Sequence, residues 1–476
     1  MDFTTPLFLF ILLPIILGSY WISPISFRPV LLLATSLLLY LFSDGEYFYL
    51  LCLSIFINYI FSLLIDRCKE GSLRLSLLWG AIALNLLGLM LFKYPEIIRW
   101  SGVSKSSVHL PLGISFFTFQ AIAWIIDLYN RKHTAALNPL KLSLFLSIFP
   151  KISAGPIIRY EEVSDSISRP AVDMESCGYG AKRFIIGLGK KLLIADTLAR
   201  TADQIFAIPG NELSAPLAWL GIICYTLQLY YDFSGYSDMA IGLGRMLGFS
   251  FRENFDYPYI AKSLTEFWRR WHISLSTWFR DYLYTPLVYT LMTEKIREKI
   301  AARQYPTNYR SMFSIVVVFT LCGWWHGSTW NFVLWGLLHG LLLALESWKL
   351  GKILKKAPAP VAHIYTLLVL MLCWVFFRSP TLVFSLGFIT ALLGLGSGNG
   401  VLYSCSRYLN NELLLVLALA IAGSTPVARV LRERLNARLP VMSATLIETG
   451  AVTVILLLSL VTVANSTYKP FIYFNF

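Results

Sequence analysis

The chain has 476 residues, of which 56% are hydrophobic, 15% aromatic and only 14% charged, whereas soluble domains are about one-quarter charged. That balance excludes an ordinary water-soluble domain and requires most of the chain to face lipid or protein. The net charge of +13 resides in short loops between apolar runs, so it reads as membrane topology and not as nucleic-acid binding.

The first apolar run is Pro6 to Ile22. MDFTTP ahead of it has an Asp and no Lys or Arg, so a retained membrane helix is expected and not a signal peptide. Tyr47 to Ile65, Leu75 to Phe92, Pro111 to Tyr129 and Leu142 to Ile157 follow, near the ~20 residues that cross a hydrocarbon core. The basic loops Arg67 to Arg74 and Asn130 to His133 fall on one side, read as cytosolic, with Ser43 to Glu46 opposite. Glu161 to Ala207 and Phe249 to Tyr284 are too charged to span and read as interfacial or pore-buried helices. Within the latter, Trp268, Trp271, Leu275, Trp278 and Tyr282 recur at spacings of three and four, which predicts one amphipathic helix at a bilayer interface.

Further spans are expected at Pro216 to Tyr231, Ser314 to Trp325, Asn331 to Leu345, Ile364 to Phe377, Leu382 to Leu395, Leu413 to Ala422 and Val452 to Val463. Thr293 to Arg310 and Leu431 to Arg438 are basic and read as cytosolic surfaces. The expected fold is an all-α polytopic membrane protein, one domain over residues 1–476, with ~11 crossings plus interfacial and re-entrant helices. Seven scattered cysteines with no CxxC pair predict neither a disulfide frame nor a metal site.

Ionisable groups at membrane depth are costly, and the clearest cluster is CGWWHGSTWNFVLWGLLHG, Cys322 to Gly340. His326 stands where one apolar run ends and the next begins, bracketed by Gly323 and Gly327, which permit a tight break and close approach. Asn331, Trp335 and His339 are spaced i, i+4, i+8, with Glu346 seven further on, so one helix face carries polar groups into the membrane. Trp324, Trp325 and Trp330 are expected to wall His326 and keep it neutral, as a general base acting on a hydroxyl requires. The plainer reading is a histidine satisfied by a neighbouring carbonyl. His339 fits a hydrogen-bond partner between helices as well as it fits a site residue.

No GxSxG elbow, P-loop, HExxH, GxGxxG or HxxxxD box is present. A second constellation, YYDFSGYSDMAIGLGRMLGF from Tyr230, crowds Asp232, Ser234, Ser237 and Asp238 at the end of an apolar run. A solvated loop would explain the carboxylates. The neighbouring aromatics and Arg252, Arg269 and Arg270 suggest instead a buried polar network holding a pocket.

PLGISFFTFQ at Pro111, FPKISAGPIIRY at Phe149, YDFSGYSDMAIGLGRMLGF at Tyr231, FWRRWHISLSTWFRDYLYTPL at Phe267, GWWHG at Gly323, LWGLLHG at Leu334 and the tail PFIYFNF resemble the membrane-bound O-acyltransferases (MBOATs), and among them the bacterial alginate O-acetylase group. The resemblance runs from end to end. It implies an MBOAT-type helical bundle in a bacterial inner membrane, with funnels from both faces meeting near His326 as catalytic histidine and His272 as its upstream polar partner. It also implies a cytosolic thioester donor, acetyl-CoA or another acyl thioester, and no bound cofactor. An extracytoplasmic acetyltransferase with a serine nucleophile is the implied partner, and a polysaccharide the acceptor. Asn331, His339, Trp325, Asp232, Ser234, Asp238, Arg269 and Arg270 are the supporting candidates. The chain departs at Lys151, where family members commonly have Gln; it would snorkel or pair with a carboxylate such as Asp127. Alginate-like exopolysaccharide and peptidoglycan both remain as acceptors. A non-catalytic transporter of the acyl donor and a scaffold of an export complex are the rival functions.

Overall fold

Apolar side chains repeating with no strand alternation leave the helix as the way to satisfy the backbone in lipid. The computed structural model describes residues 2–94, 109–135, 138–290, 309–396, 398, 400, 403–465 and 471–472, and among these there is no strand. Most of the basic loop from Thr293 to Arg310 and of the tail PFIYFNF lies outside the described residues. Among the described residues, five helical stretches are long and apolar enough to cross a membrane: Arg28–Arg67, Ser72–Lys93, Trp330–Lys356, Ala359–Arg378 and Val441–Asn465. A sixth arises if Asn411–Gly423 and Val427–Arg438, bent by 70°, form one broken span.

The first of these has 40 residues, ~60 Å if straight and about twice the hydrocarbon core. It turns at Gly45, whose φ is 54°, between helices Arg28–Asp44 and Phe48–Arg67. Phe8–Ile22, Ile114–Tyr129 and Leu382–Leu392 are apolar but shorter than a full span. Full-length spans among the described residues thus number five or six by length and composition, against the ~11 crossings expected.

The chain divides into two compact units that interleave in sequence. The first comprises residues 1–189, 233–253 and 452–476, the second 190–232 and 254–451. In the first, Ile114–Tyr129 has fourteen of its sixteen residues buried, so it is a central helix and does not face lipid. Trp124 Nε1 donates to Ser62 Oγ at 2.6 Å, and Asn58 and Asn85 exchange amide hydrogen bonds at 3.0 and 2.9 Å. Such pairs satisfy polar groups between membrane helices.

The span expected from Leu142 to Ile157 is broken into Pro139–Ser147 and Phe149–Ile152. Ile148 leaves the helical region with ψ 119° just before Phe149-Pro150. Lys151 does not snorkel and does not pair with Asp127. It is fully buried, donating to Gln120 Oε1 and the Phe145 carbonyl, while Asp127 pairs with Lys132 at 2.7 Å.

In the second unit, helices Tyr309–His326 and Trp330–Leu345 form a hairpin closed by small residues. A Cβ on Gly323 would strike the Phe332 carbonyl and Gly336, and one on Gly336 would strike the Phe319 carbonyl and Gly323. Glycine therefore permits backbone-to-backbone packing here, as small residues do between membrane helices. Gly327 accommodates the Phe332 ring.

Two further expectations change. Thr265 to Tyr284 is not one helix: Leu264–Arg270 ends and Ile273–Phe279 begins across Trp271 and His272, the latter at φ 45°. Trp271 and Trp278 are buried in protein, so the aromatic repeat packs a core and does not lie on lipid. Nor does the apolar run end at Tyr231. Helix Ala215–Met246 continues through the YDFSGYSD motif, and its Asp and Ser side chains are buried in mid-helix.

Candidate active site

His326 ends the first helix of the glycine-closed hairpin, and Thr329 opens the second. The helix break thus exposes a short turn while the imidazole stays 5% exposed. Its wall differs from expectation. Trp324 and Trp330 are 38% and 74% exposed, because neither lies on the helix face turned to the core. The ring neighbours are Trp325 at 4.5 Å, Phe377 at 5.0 Å, Trp335 at 5.1 Å and Phe332 at 6.5 Å. Trp374 extends this shell, 6.0 Å from Trp335 and 5.5 Å from Phe377. Phe377 and Trp374 come from Ala359–Arg378; no spacing around His326 points to them.

The i, i+4, i+8 face forms as expected: Asn331, Trp335, His339 and Glu346 are all buried. Asn331 Nδ2 donates to the Ser379 carbonyl at 2.6 Å. Trp268 Nε1 donates to His339 Nδ1 at 3.3 Å. Yet Asn331 Oδ1, Trp335 Nε1, His339 Nε2 and Trp374 Nε1 are buried with no hydrogen-bond partner among the described residues. Each such atom costs ~1–3 kcal/mol, and Trp335, 5.1 Å from the His326 ring, also packs on His339 at 4.9 Å and Trp374 at 6.0 Å.

Glu346 has a role that its spacing does not reveal. Its Oε1 accepts from Leu264 N at 2.8 Å, and its Oε2 from Thr265 N and Oγ1 at 2.9 and 2.7 Å. The carboxylate thereby caps Leu264–Arg270 from another helix, satisfying end donors that have no partner within it. That helix delivers Trp268, then Trp271, whose ring lies 5.5 Å from Trp374, and then His272.

His272 is buried, and its Nδ1 lies 3.2 Å from Asn254 Oδ1. The same oxygen accepts Ser274 N and Oγ at 3.1 and 2.9 Å, which identifies it as the carbonyl side of the amide. His272 Nδ1 therefore donates, and Nε2 carries the lone pair. Burial pushes this imidazole down to about 3, so it is neutral at physiological pH. Asn254 was not singled out in the sequence; its position among the charged residues of RENFDYPYI hid it.

The remaining candidates separate. Asp232, in the second unit, pairs with Lys191 at 2.7 Å, and Lys191 also reaches Asp196 at 2.8 Å. Asp238 and Ser234 belong to the first unit. Asp238 pairs with Arg183 at 2.6 Å, and Arg183 also holds Glu253. Carboxylates beside the Lys191 and Arg183 cations hold both charges on beyond their ordinary ranges, against desolvation. The expected arginines do otherwise: Arg252 pairs with Glu162 at 3.0 Å, Arg270 with Glu266 and Asp256 at 3.0 Å, and Arg269 is exposed.

The model of the MBOAT, membrane-bound O-acyltransferase family, matches residues 130–377, which include His272, His326 and His339. The chain is 38% identical to the probable alginate O-acetylase AlgI of Azotobacter vinelandii, over 80% of this chain and 76% of that protein. It is 35% identical to the probable alginate O-acetylase AlgI of Pseudomonas putida over the whole of both. To the peptidoglycan O-acetyltransferase of Helicobacter pylori it is 35% identical, over 84% of this chain and 80% of that one. The helical membrane architecture and these similarities together make the chain a multi-pass O-acyltransferase belonging to the membrane-bound O-acyltransferase family.

Proposed function

We propose that this protein transfers an acetyl group from a cytosolic thioester, acetyl-CoA, through the bacterial inner membrane for O-acetylation of an extracytoplasmic polysaccharide. An extracytoplasmic acetyltransferase with a serine nucleophile completes the transfer to polymer. The observation that carries the proposal is His326: a histidine in an aromatic shell at a helix break, beside Trp335, whose buried Nε1 has no hydrogen-bond partner among the described residues. Its imidazole takes the proton of an acceptor hydroxyl as that oxygen attacks the thioester carbonyl. His272, with a lone pair on Nε2, orients the hydroxyl by accepting a hydrogen bond.

The acceptor is an alginate-like exopolysaccharide on this reading, supported by similarity to the probable alginate O-acetylases. The relative named peptidoglycan O-acetyltransferase supports peptidoglycan as a second acceptor. The purified protein in vesicles, given labelled acetyl-CoA and either polymer with its partner acetyltransferase, tests both. Label reaching polymer in the wild type and not in His326→Ala is the expected result. Equal labelling by a folded His326→Ala protein would reduce the chain to a conduit or scaffold.

A further inference from the structure

The hydrogen bond between Trp268 and His339 decides what His339 can do. An indole nitrogen carries a hydrogen and no lone pair, so it only donates. Because Trp268 Nε1 donates to His339 Nδ1, Nδ1 holds the lone pair and the proton of the neutral ring sits on Nε2. That Nε2–H is fully buried and has no hydrogen-bond partner among the described residues. His272 is the opposite tautomer, set by Asn254. Glu346 secures the arrangement two turns along the helix from His339, by capping the helix that carries Trp268. His326 and His339 both pack on Trp335, at ring separations of 5.1 and 4.9 Å, so the two imidazoles share one indole as neighbour.

We infer that His339 is an oxyanion donor: its Nε2–H binds the acyl carbonyl oxygen of the thioester and stabilises the charge that oxygen acquires during transfer. This rests on the acyl-transfer reading above. The acceptor oxygen bonds to the carbonyl carbon while its proton passes to His326, and the carbonyl π pair moves onto the oxygen held by His339. Collapse reforms the carbonyl and breaks the C–S bond, and the departing thiolate takes the proton from His326. His339 keeps its own proton throughout, and Trp268 bars it from serving as the base through Nδ1. A donor fixed before the reaction needs no reorganisation as charge develops, which is where such groups contribute most.

The full-length protein in vesicles tests the assignment. His339→Leu is expected to lower kcat ~100- to 1,000-fold, with KM for the thioester changed less than about threefold. His339→Gln, whose amide accepts from Trp268 and offers an N–H, is expected within about tenfold of wild type. A thioether analogue of the donor, which lacks the carbonyl oxygen, should inhibit wild type and His339→Leu equally. A wild-type kcat in His339→Leu, a loss confined to KM, or weakened thioether inhibition overturns the assignment. If His339→Leu fails to fold, nitrogen NMR of labelled histidine in the wild type decides, with His339→Gln identifying the resonance. A proton on Nε2 supports the inference, and one on Nδ1 ends it. Transfer that survives His326→Ala would instead remove the acyl-transfer reading and leave the protonation of His339 as measured.

Discussion

Two regions place polar side chains inside apolar helices, and they resolve their ionisable groups in opposite ways, although Ser234 Oγ of the first is also left without a partner among the described residues. In the YDFSGYSD helix both carboxylates end in ion pairs, Asp232 with Lys191 and Asp238 with Arg183. In the hairpin around His326, by contrast, Asn331 Oδ1, Trp335 Nε1 and His339 Nε2 are buried and lack partners among the described residues. A closed ion pair has little left to offer a substrate, and breaking it exposes an uncompensated charge. An unsatisfied donor or acceptor gains its missing bond only when something arrives. Both regions look equally unusual by residue type, yet the carboxylates of the first are closed into ion pairs, while His339 Nε2 of the second has no partner among the described residues.

His326→Ala puts the contrast to its hardest test: transfer should fall ~100- to 10,000-fold, as expected for loss of a general base, with thermal stability in detergent close to wild type. Lys191→Met should do the reverse, costing ~3–5 kcal/mol by stranding the buried Asp232 carboxylate and appearing as a lowered melting temperature. Lys191→Met combined with Asp232→Leu should recover part of that loss; no recovery would break the account of this pair as framework. Glu346→Gln should cost ~1–3 kcal/mol, because one acceptor oxygen becomes a donor facing the Leu264 or Thr265 N–H. It should also slow transfer, through the displaced Trp268.

His272 supplies a pH signature. The native ring stays neutral down to about 3, whereas an unfolded histidine protonates near 6.5. Between those values the unfolded state binds more protons, so this contribution is complete above pH 6.5 and is lost as pH falls, by ~1.4 kcal/mol per unit at most. Denaturation of wild type and His272→Gln at pH 7.5 and 5.5 should show the slope in the first and its reduction in the second. The smallest effect is expected at Arg269, which is exposed: Arg269→Ala should change stability by less than about 0.5 kcal/mol and leave transfer unaltered.

Much of the site was legible in one dimension. His326 marks a helix end where one apolar run stops and Gly327 follows, and Asn331, Trp335 and His339 share a face because a helix repeats every ~3.6 residues. The same periodicity misled at Thr265 to Tyr284, where the aromatic spacing is helical but the backbone breaks at Trp271 and His272. It also assigned Trp324 and Trp330 to the wall of His326, which local spacing cannot orient toward a core built from distant helices.

By itself the sequence determined that the chain is helical and membrane-embedded, and that His326 stands at a break in its apolar pattern, because composition and short-range period are properties of a single element. Only the tertiary structure decided which cation each carboxylate meets, that Phe377 and Trp374 build the shell, that Glu346 caps a helix from outside, and which nitrogen of His339 keeps its proton. Each of those depends on atoms tens to hundreds of residues apart approaching within a hydrogen bond or a ring contact, and no spacing along the chain encodes that approach.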